Sequence, residues 1–162
     1  MSALQAVELF AGLRPDGEPI VERLPVKLLP DDTLQLVRSP AFVKGLASGD
    51  IIRADSERRE FEIVQHSGNL CIRVLTRKDT APLAEQLEGP MAKLGGELDL
   101  HSPHLLVFSV HVSCGFAAIE TLFNPINSAD SYWQYANVYD PTDGVTPLNW
   151  WLPLLQPEKA HT

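Results

Sequence analysis

Along the first half of the chain, apolar and polar positions alternate over short runs broken by turn residues. Residues 6–12 and 20–29 read as strands separated by an Arg14-Pro15-Asp16-Gly17 turn, and Pro25 and Pro30 mark the second as an edge or interrupted strand. Thr33–Arg38 alternates as a half-buried strand does. Ser39–Ala54, SPAFVKGLASGDIIRA, then predicts a strand end at Ser39-Pro40, a short helical turn over Ala41–Leu46 and a break at Gly49-Asp50. A strand over Ile51–Ala54 follows, and further strands are expected over Phe61–Gln65 and Leu70–Arg77. Closely spaced strands with small-residue turns predict a small bent β-sheet or barrel.

The period then changes. Leu83, Leu87, Met91 and Leu94 fall at helical spacing over Ala81–Leu94, with Pro82 suited to a first turn and Gly89-Pro90 predicting a kink or broken turn. Glu97–Leu100 and Leu105–Val112 read as a strand pair, Ser113 as the N-cap of a helix containing Phe116, Ile119 and Phe123, and Trp133–Tyr139 as a last strand. From Leu70 this order fits a split βαβ, ferredoxin-like sandwich. The expected class is therefore α+β: a β-rich, barrel-like subdomain over 1–69, a ferredoxin-like one over 70–145, and a proline-rich extension over 146–162.

Charge sharpens the picture. The net charge is −8, and residues 1–77 carry ten Lys+Arg against eleven Asp+Glu while residues 78–162 carry three against ten. A cation-poor half supplies no phosphate neutralisation, so neither nucleic acid nor an anionic membrane surface is an expected partner. A basic protein partner would be steered in, although a moderately acidic surface also serves solubility alone. Leu105–Val112, the longest mainly apolar run, is too short to span a bilayer, and the first ten residues lack the pattern of a signal peptide. Cys71 and Cys114 in apolar surroundings read as free thiols of a cytoplasmic protein.

Candidate chemistry is thin. His101 and His104, and His111 and Cys114, are pairs at opposite ends of one predicted strand, about 30 Å apart if extended, so no metal and no cofactor is expected. Cys114 at a helix start could be an activated thiol with His111 as base, but a packed structural thiol is the commoner arrangement. Glu97 and Asp99 would share a strand face, which suits acid–base work or merely an acidic surface. Asp50 reads as a turn carboxylate bonding nearby backbone N–H groups. No phosphate-binding, nucleophile-elbow or zinc-protease motif occurs, so no catalytic residue is assigned.

Every Trp and Tyr lies between Tyr132 and Trp151, beside acidic loops. Rings of this kind either complete a core or anchor a protein partner. The expected docking residues are Tyr139, Asp140, Asp143, Trp150 and Trp151, on a non-enzymatic protein acting as an immunity or antitoxin-type inhibitor would. The alternative is a small-molecule binder or small enzyme with a pocket between the two subdomains.

SPAFVKGLASGDIIRA, followed by IVQHSGNLCIRV, KLGGELDLH and YWQYANVY, resembles the bacterial domain-of-unknown-function family four-two-six-five over about residues 20–140. The resemblance rests on Pro40, Phe42, Gly45, Gly49 and Asp50. The sequence departs from the family pattern at Pro25, where an aromatic is common, and in the extension after Tyr139. The family has no established activity, so the resemblance implies a fold and a bacterial cytosolic setting, with no catalytic residues to transfer.

Overall fold

Two antiparallel sheets, of five and four strands, are joined through one irregular loop in a computed structural model that describes residues 4–155. The first sheet is a meander of β1 (Leu4–Leu13), β2 (Pro19–Leu28), β3 (Leu34–Leu36), β4 (Ile51–Asp55) and β5 (Glu60–Gln65), in that order. Period-two alternation places Glu22, Leu24 and Val26 of β2 on the inward face, and Leu9, Leu36, Val43, Leu46 and Ile52 complete this core.

The sheet bends but does not close, so the barrel alternative is corrected. Its edges meet through the Phe10 N–H donating to the Arg59 carbonyl at 2.8 Å and an Arg59–Glu8 ion pair at 3.6 Å, without a ladder. Closure needs a consistent stagger around every strand. Here β3 is three residues long and β1 carries a bulge between Phe10 and Gly12.

Pro25 does not make β2 an edge strand, for β2 lies between β1 and β3. In a strand the N–H and C=O of one residue point the same way. The Pro25 carbonyl accepts from the Val37 N–H at 3.1 Å, on the β3 side, and the β2–β3 ladder begins only at the Val26–Leu36 pair. The missing N–H therefore falls just beyond that ladder.

The helical turn expected over Ala41–Leu46 is absent, and residues 37–50 form an irregular loop. A loop without its own ladder needs outside partners for buried backbone groups. The Glu22 carboxylate supplies them from one side, accepting from the N–H groups of Ala41 (2.7 Å), Phe42 (2.8 Å) and Val43 (2.9 Å). The Arg73 guanidinium, from the other sheet, donates to the carbonyls of Pro40, Phe42 and Val43. Asp50, buried at the end of the loop, accepts from Ala47 N–H at 3.0 Å and Ser67 N–H at 2.8 Å. Its turn role is the expected one, extended to the connection that follows β5.

The second half runs β6 (Asn69–Thr76), α1 (Ala81–Lys93), β7 (Glu97–Ser102), β8 (Leu105–His111), α2 (Phe116–Phe123) and β9 (Ser131–Tyr135), with sheet order β7-β8-β6-β9. Leu70, Ile72 and Val74 pack against Leu87 and Met91 of α1 and Ile119 and Phe123 of α2. Cys71 and Arg73, on the other face of β6, meet the loop, where Ala41 and Ala47 join Val107 and Ala136 in a small cluster. Burial on both faces explains why β6 reads as a nearly continuous apolar run.

Three local expectations change. Helix α1 continues through Gly89-Pro90 without a break. Ser113 does not cap α2, which starts after Gly115; it sits in a 3-10 turn over Val112–Cys114, donating its N–H to His111 Nδ1 at 3.1 Å. The last strand stops at Tyr135, because Asn137 turns inward to accept from the Cys71 N–H at 2.9 Å and donate to the Asn69 carbonyl at 3.0 Å. The described part of the proline-rich extension, residues 146–155, returns along the second half: Tyr139 bridges Pro147, Leu148 N–H donates to the Val138 carbonyl at 2.8 Å, and α3 (Leu152–Leu155) follows Trp151; residues 156–162 lie outside the described residues.

Candidate protein-binding groove

Strand β9 is an outer strand of its sheet, and its odd residues turn their side chains toward α2. Trp133 packs 5.5 Å from Phe123, Tyr135 lies 5.5 Å from Phe116, and the two rings meet edge-to-face at 4.9 Å. The Trp133 indole N–H donates to Asn124 Oδ1 at 3.0 Å, fixing the ring against the end of α2. Past Ala136 the chain leaves the sheet and loops through Tyr139–Gly144, leaving a groove of about 510 Å³ between this loop, the β9 edge and α2. Glu120, Asn124, Trp133, Tyr135, Tyr139 and Asp140 line it, with Lys44 from the irregular loop at one side. The Tyr135 hydroxyl is sealed from solvent and, among the described residues, no side chain or backbone group lies within hydrogen-bond distance and geometry of it. Burial, then the negative charge of Glu120, pushes its pKa up.

The five residues expected to dock a partner separate. Tyr139, 39% exposed, and Asp140 line the groove. Asp143 serves its own turn, accepting from the N–H groups of Val145 and Thr146, both at 2.9 Å, and bonds from Thr146 hold its carboxyl below the usual range. Trp150 is half-buried, stacked on His66 at 4.7 Å, with its indole N–H on the Asn137 carbonyl at 2.8 Å. Trp151 is 7% exposed in the second core, edge-on to Phe116 at 5.3 Å. As a presented ring it is corrected: the segment after Pro147 folds back and inserts it.

The other candidate chemistry does not assemble. Among the described residues no group of three or more His, Cys, Asp or Glu converges as metal ligands. His104 Nδ1 lies 3.2 Å from the Thr76 carbonyl, and His111 Nδ1 lies 2.8 Å from the Ser113 hydroxyl. Burial raises the pKa of the half-buried Cys114, the reverse of an activated thiol. A bulge between Leu98 and Leu100 interrupts the face expected for Glu97 and Asp99. Asp99 instead accepts from the Ser39 N–H at 2.8 Å and the Ser109 hydroxyl at 3.2 Å, tying the loop to β7 and β8, and burial raises its carboxyl pKa.

A second concavity, of about 520 Å³, opens where the two halves meet and carries Arg14, Arg23 and Arg38 around Phe42 and Leu100. Arg38 lies 3.8 Å from Glu22. Sequence reasoning missed the residues that build these surroundings, Glu22, Arg73 and Asn137. Two signals were present: a glutamate in phase with the inward Leu24 and Val26, and an arginine inside the apolar run Leu70–Leu75.

No curated protein matches the chain. A crystal structure described as a hypothetical protein from Neisseria gonorrhoeae is similar in fold, at a TM-score of 0.65 and 16% identity, covering 84% of this chain and 94% of that one. The family model Domain of unknown function (DUF4265) matches residues 22–135, from the glutamate that holds the irregular loop to the end of β9, and the chain belongs to that family.

Proposed function

We propose that this protein is a non-enzymatic binding protein that takes a basic segment of a partner protein into the groove beside β9, as an immunity or antitoxin-type inhibitor would. The observation that carries the reading is the groove's composition: the rings of Trp133, Tyr135 and Tyr139 beside the carboxylates of Glu120 and Asp140. Aromatic faces and carboxylates together favour ammonium and guanidinium groups, by cation–π attraction and charge pairing. The surrounding half, with three cations against ten anions, steers such a partner. We place it in the bacterial cytoplasm, where unpaired thiols such as Cys71 and Cys114 persist. We read the second half as a ferredoxin-like sandwich, supported by its strand–helix–strand–strand–helix–strand order and the antiparallel order β7-β8-β6-β9.

Titration with an arginine-rich and a glutamate-rich peptide of equal length, followed by calorimetry and amide NMR shifts, tests this. The basic peptide should bind, lose affinity as salt rises, and shift the amides of Glu120, Trp133 and Tyr139. Glu120→Gln should weaken it about three- to tenfold. Equal binding of both peptides, or shifts elsewhere, refutes the reading.

A second reading has its own observation. The Arg14, Arg23 and Arg38 concavity lies between the two halves, where a small anionic ligand would meet three guanidinium groups. A thermal-shift screen of carboxylates and phosphates tests it: stabilisation lost in Arg23→Ala supports it, and none across the panel rejects it.

A further inference from the structure

We infer that the outer edge of β9 is a strand-addition site, which pairs main chain to main chain with a short extended segment of the basic partner. This rests on the groove reading above and adds how the segment is held. The register fixes which groups are free. Ala136 N–H donates to the Cys71 carbonyl at 2.8 Å and Arg77 N–H to the Asp130 carbonyl at 2.9 Å, so the even residues of this stretch face β6. Main-chain groups alternate sides along a strand, so those of Trp133 and Tyr135 point away from β6. Among the described residues neither their N–H nor their C=O groups have a hydrogen-bond partner.

The free stretch is bounded. At one end the Ser131 carbonyl accepts from the Ser128 N–H at 2.9 Å, and at the other the strand ends at Tyr135, before Asn137 turns inward to the Cys71 N–H. Between these limits lies room for a segment of about three to five residues, at roughly 3.3 Å per residue. The edge is also undefended. Exposed edges are normally blunted by charge, proline or a bulge. The sheet's other edge, β7, carries Glu97, Asp99 and a bulge, whereas β9 reads SYWQY with no charge, no proline and an unbroken register.

Charge selects the occupant. In an antiparallel pair, residues opposite Trp133 and Tyr135 send their side chains to the α2 face, where Glu120 lies, and those opposite Gln134 point to the other face. Basic residues therefore alternate with uncharged ones in the bound segment. A second copy of this chain is disfavoured, because each carries a net charge of −8 and pairing two β9 edges would bring their Glu120 and Asp140 carboxylates together.

The test uses the full chain and a capped heptapeptide of alternating threonine and arginine. Two analogues carry backbone N-methyl groups, one on the arginines and one on the threonines. Arginine amides face β9 in the antiparallel register and threonine amides face away. N-methylation of the arginines should weaken binding about tenfold or more, while N-methylation of the threonines leaves it within about twofold. Hydrogen exchange at the Trp133 and Tyr135 amides should slow on binding of the parent peptide. Equal tolerance or equal loss for the two analogues overturns strand addition while leaving a peptide-binding groove. No binding of the parent peptide overturns both. Protection of those two amides in a dimer of the free protein would instead assign the edge to a second copy, and overturns the proposal.

Discussion

Removing the Glu22 carboxylate should release the loop that joins the two sheets. In Glu22→Ala the N–H groups of Ala41, Phe42 and Val43 lose their acceptor together, and those of Ala41 and Val43 are buried bonds. A hydrogen bond to a charged group contributes about 1.5–3 kcal/mol, and an unsatisfied buried donor costs about 1–3 kcal/mol. With partial relief from water reaching Phe42, the loss is about 4 kcal/mol, a large share of the about 5–15 kcal/mol that holds a domain folded. For a chain of this size that lowers the melting temperature by about 8–16 °C. Urea unfolding followed by circular dichroism measures it. Glu22→Gln sharpens the test, because Phe42 and Val43 share Oε1 while Ala41 is the one loop amide on Oε2, the oxygen that also faces Arg38 at 3.8 Å. The amide can keep the shared oxygen but sets its NH₂ against the Ala41 N–H, so about half the loss is expected. Arg73 grips the same loop by its carbonyls, so Glu22→Ala and Arg73→Met should be non-additive by more than about 0.5 kcal/mol. If Glu22→Ala unfolds within about 1 kcal/mol of the parent protein, the loop is held some other way.

Three further outcomes follow from the packing. Trp151→Ala should destabilise the protein by about 3–5 kcal/mol in urea, since the indole fills the second core; a loss below about 1 kcal/mol would return that ring to the surface. Burial lowers the pKa of His66 below 6.5, with Asp50 partly opposing. The neutral ring is thus the favoured folded form, and its contribution is complete above the unfolded value and lost as pH falls through the folded one. The urea midpoint should fall from about pH 7 to about pH 5.5, and His66→Phe should lessen that fall; an identical fall in both proteins refutes the assignment. Burial pushes the Cys71 thiol up to about 11, whereas Cys114 is half-exposed. A disulfide reagent at about pH 8 should label Cys114 slowly and Cys71 only after unfolding, and fast labelling of both contradicts the placement.

Local periodicity carried most of the element order. The second half was legible because Leu83, Leu87 and Met91 repeat at helical spacing while β6 and β8 are apolar runs of strand length. The error in the joining loop comes from partners distant in sequence. Ala41–Leu46 has the apolar spacing of a helical turn, but its backbone is held by Glu22, about twenty residues away, and Arg73, about thirty away. Pro25 looked like an edge residue because the length of β3 cannot be read from β2. The groove was half legible. Aromatic and acidic clustering pointed to Tyr139 and Asp140, but the segment after Pro147 has no periodicity to say which of its adjacent indoles turns inward.

The residues that carry the resemblance have a structural meaning. Pro40 lends its carbonyl to Arg73, Phe42 gives its N–H to Glu22 and its carbonyl to Arg73, and Asp50 ties the loop end to the connection between β5 and β6. Gly49 holds a left-handed φ of +86°, where a Cβ would lie 2.9 Å from the Ser67 Cβ. These residues maintain the joint, and the matched span runs on through Glu120 and the whole of β9. It stops at Tyr135, before Tyr139 and Asp140. Strand β9 and Glu120 therefore lie within the matched span, while Tyr139 and Asp140, which complete the groove's wall, come from the chain that follows. Main-chain pairing is indifferent to sequence and side-chain pockets supply selectivity. Exchanging residues 139–144 for a basic loop should accordingly weaken the preference for the basic peptide, Glu120 remaining in place, while keeping the N-methyl pattern. Loss of both together would show that edge and wall are not separable.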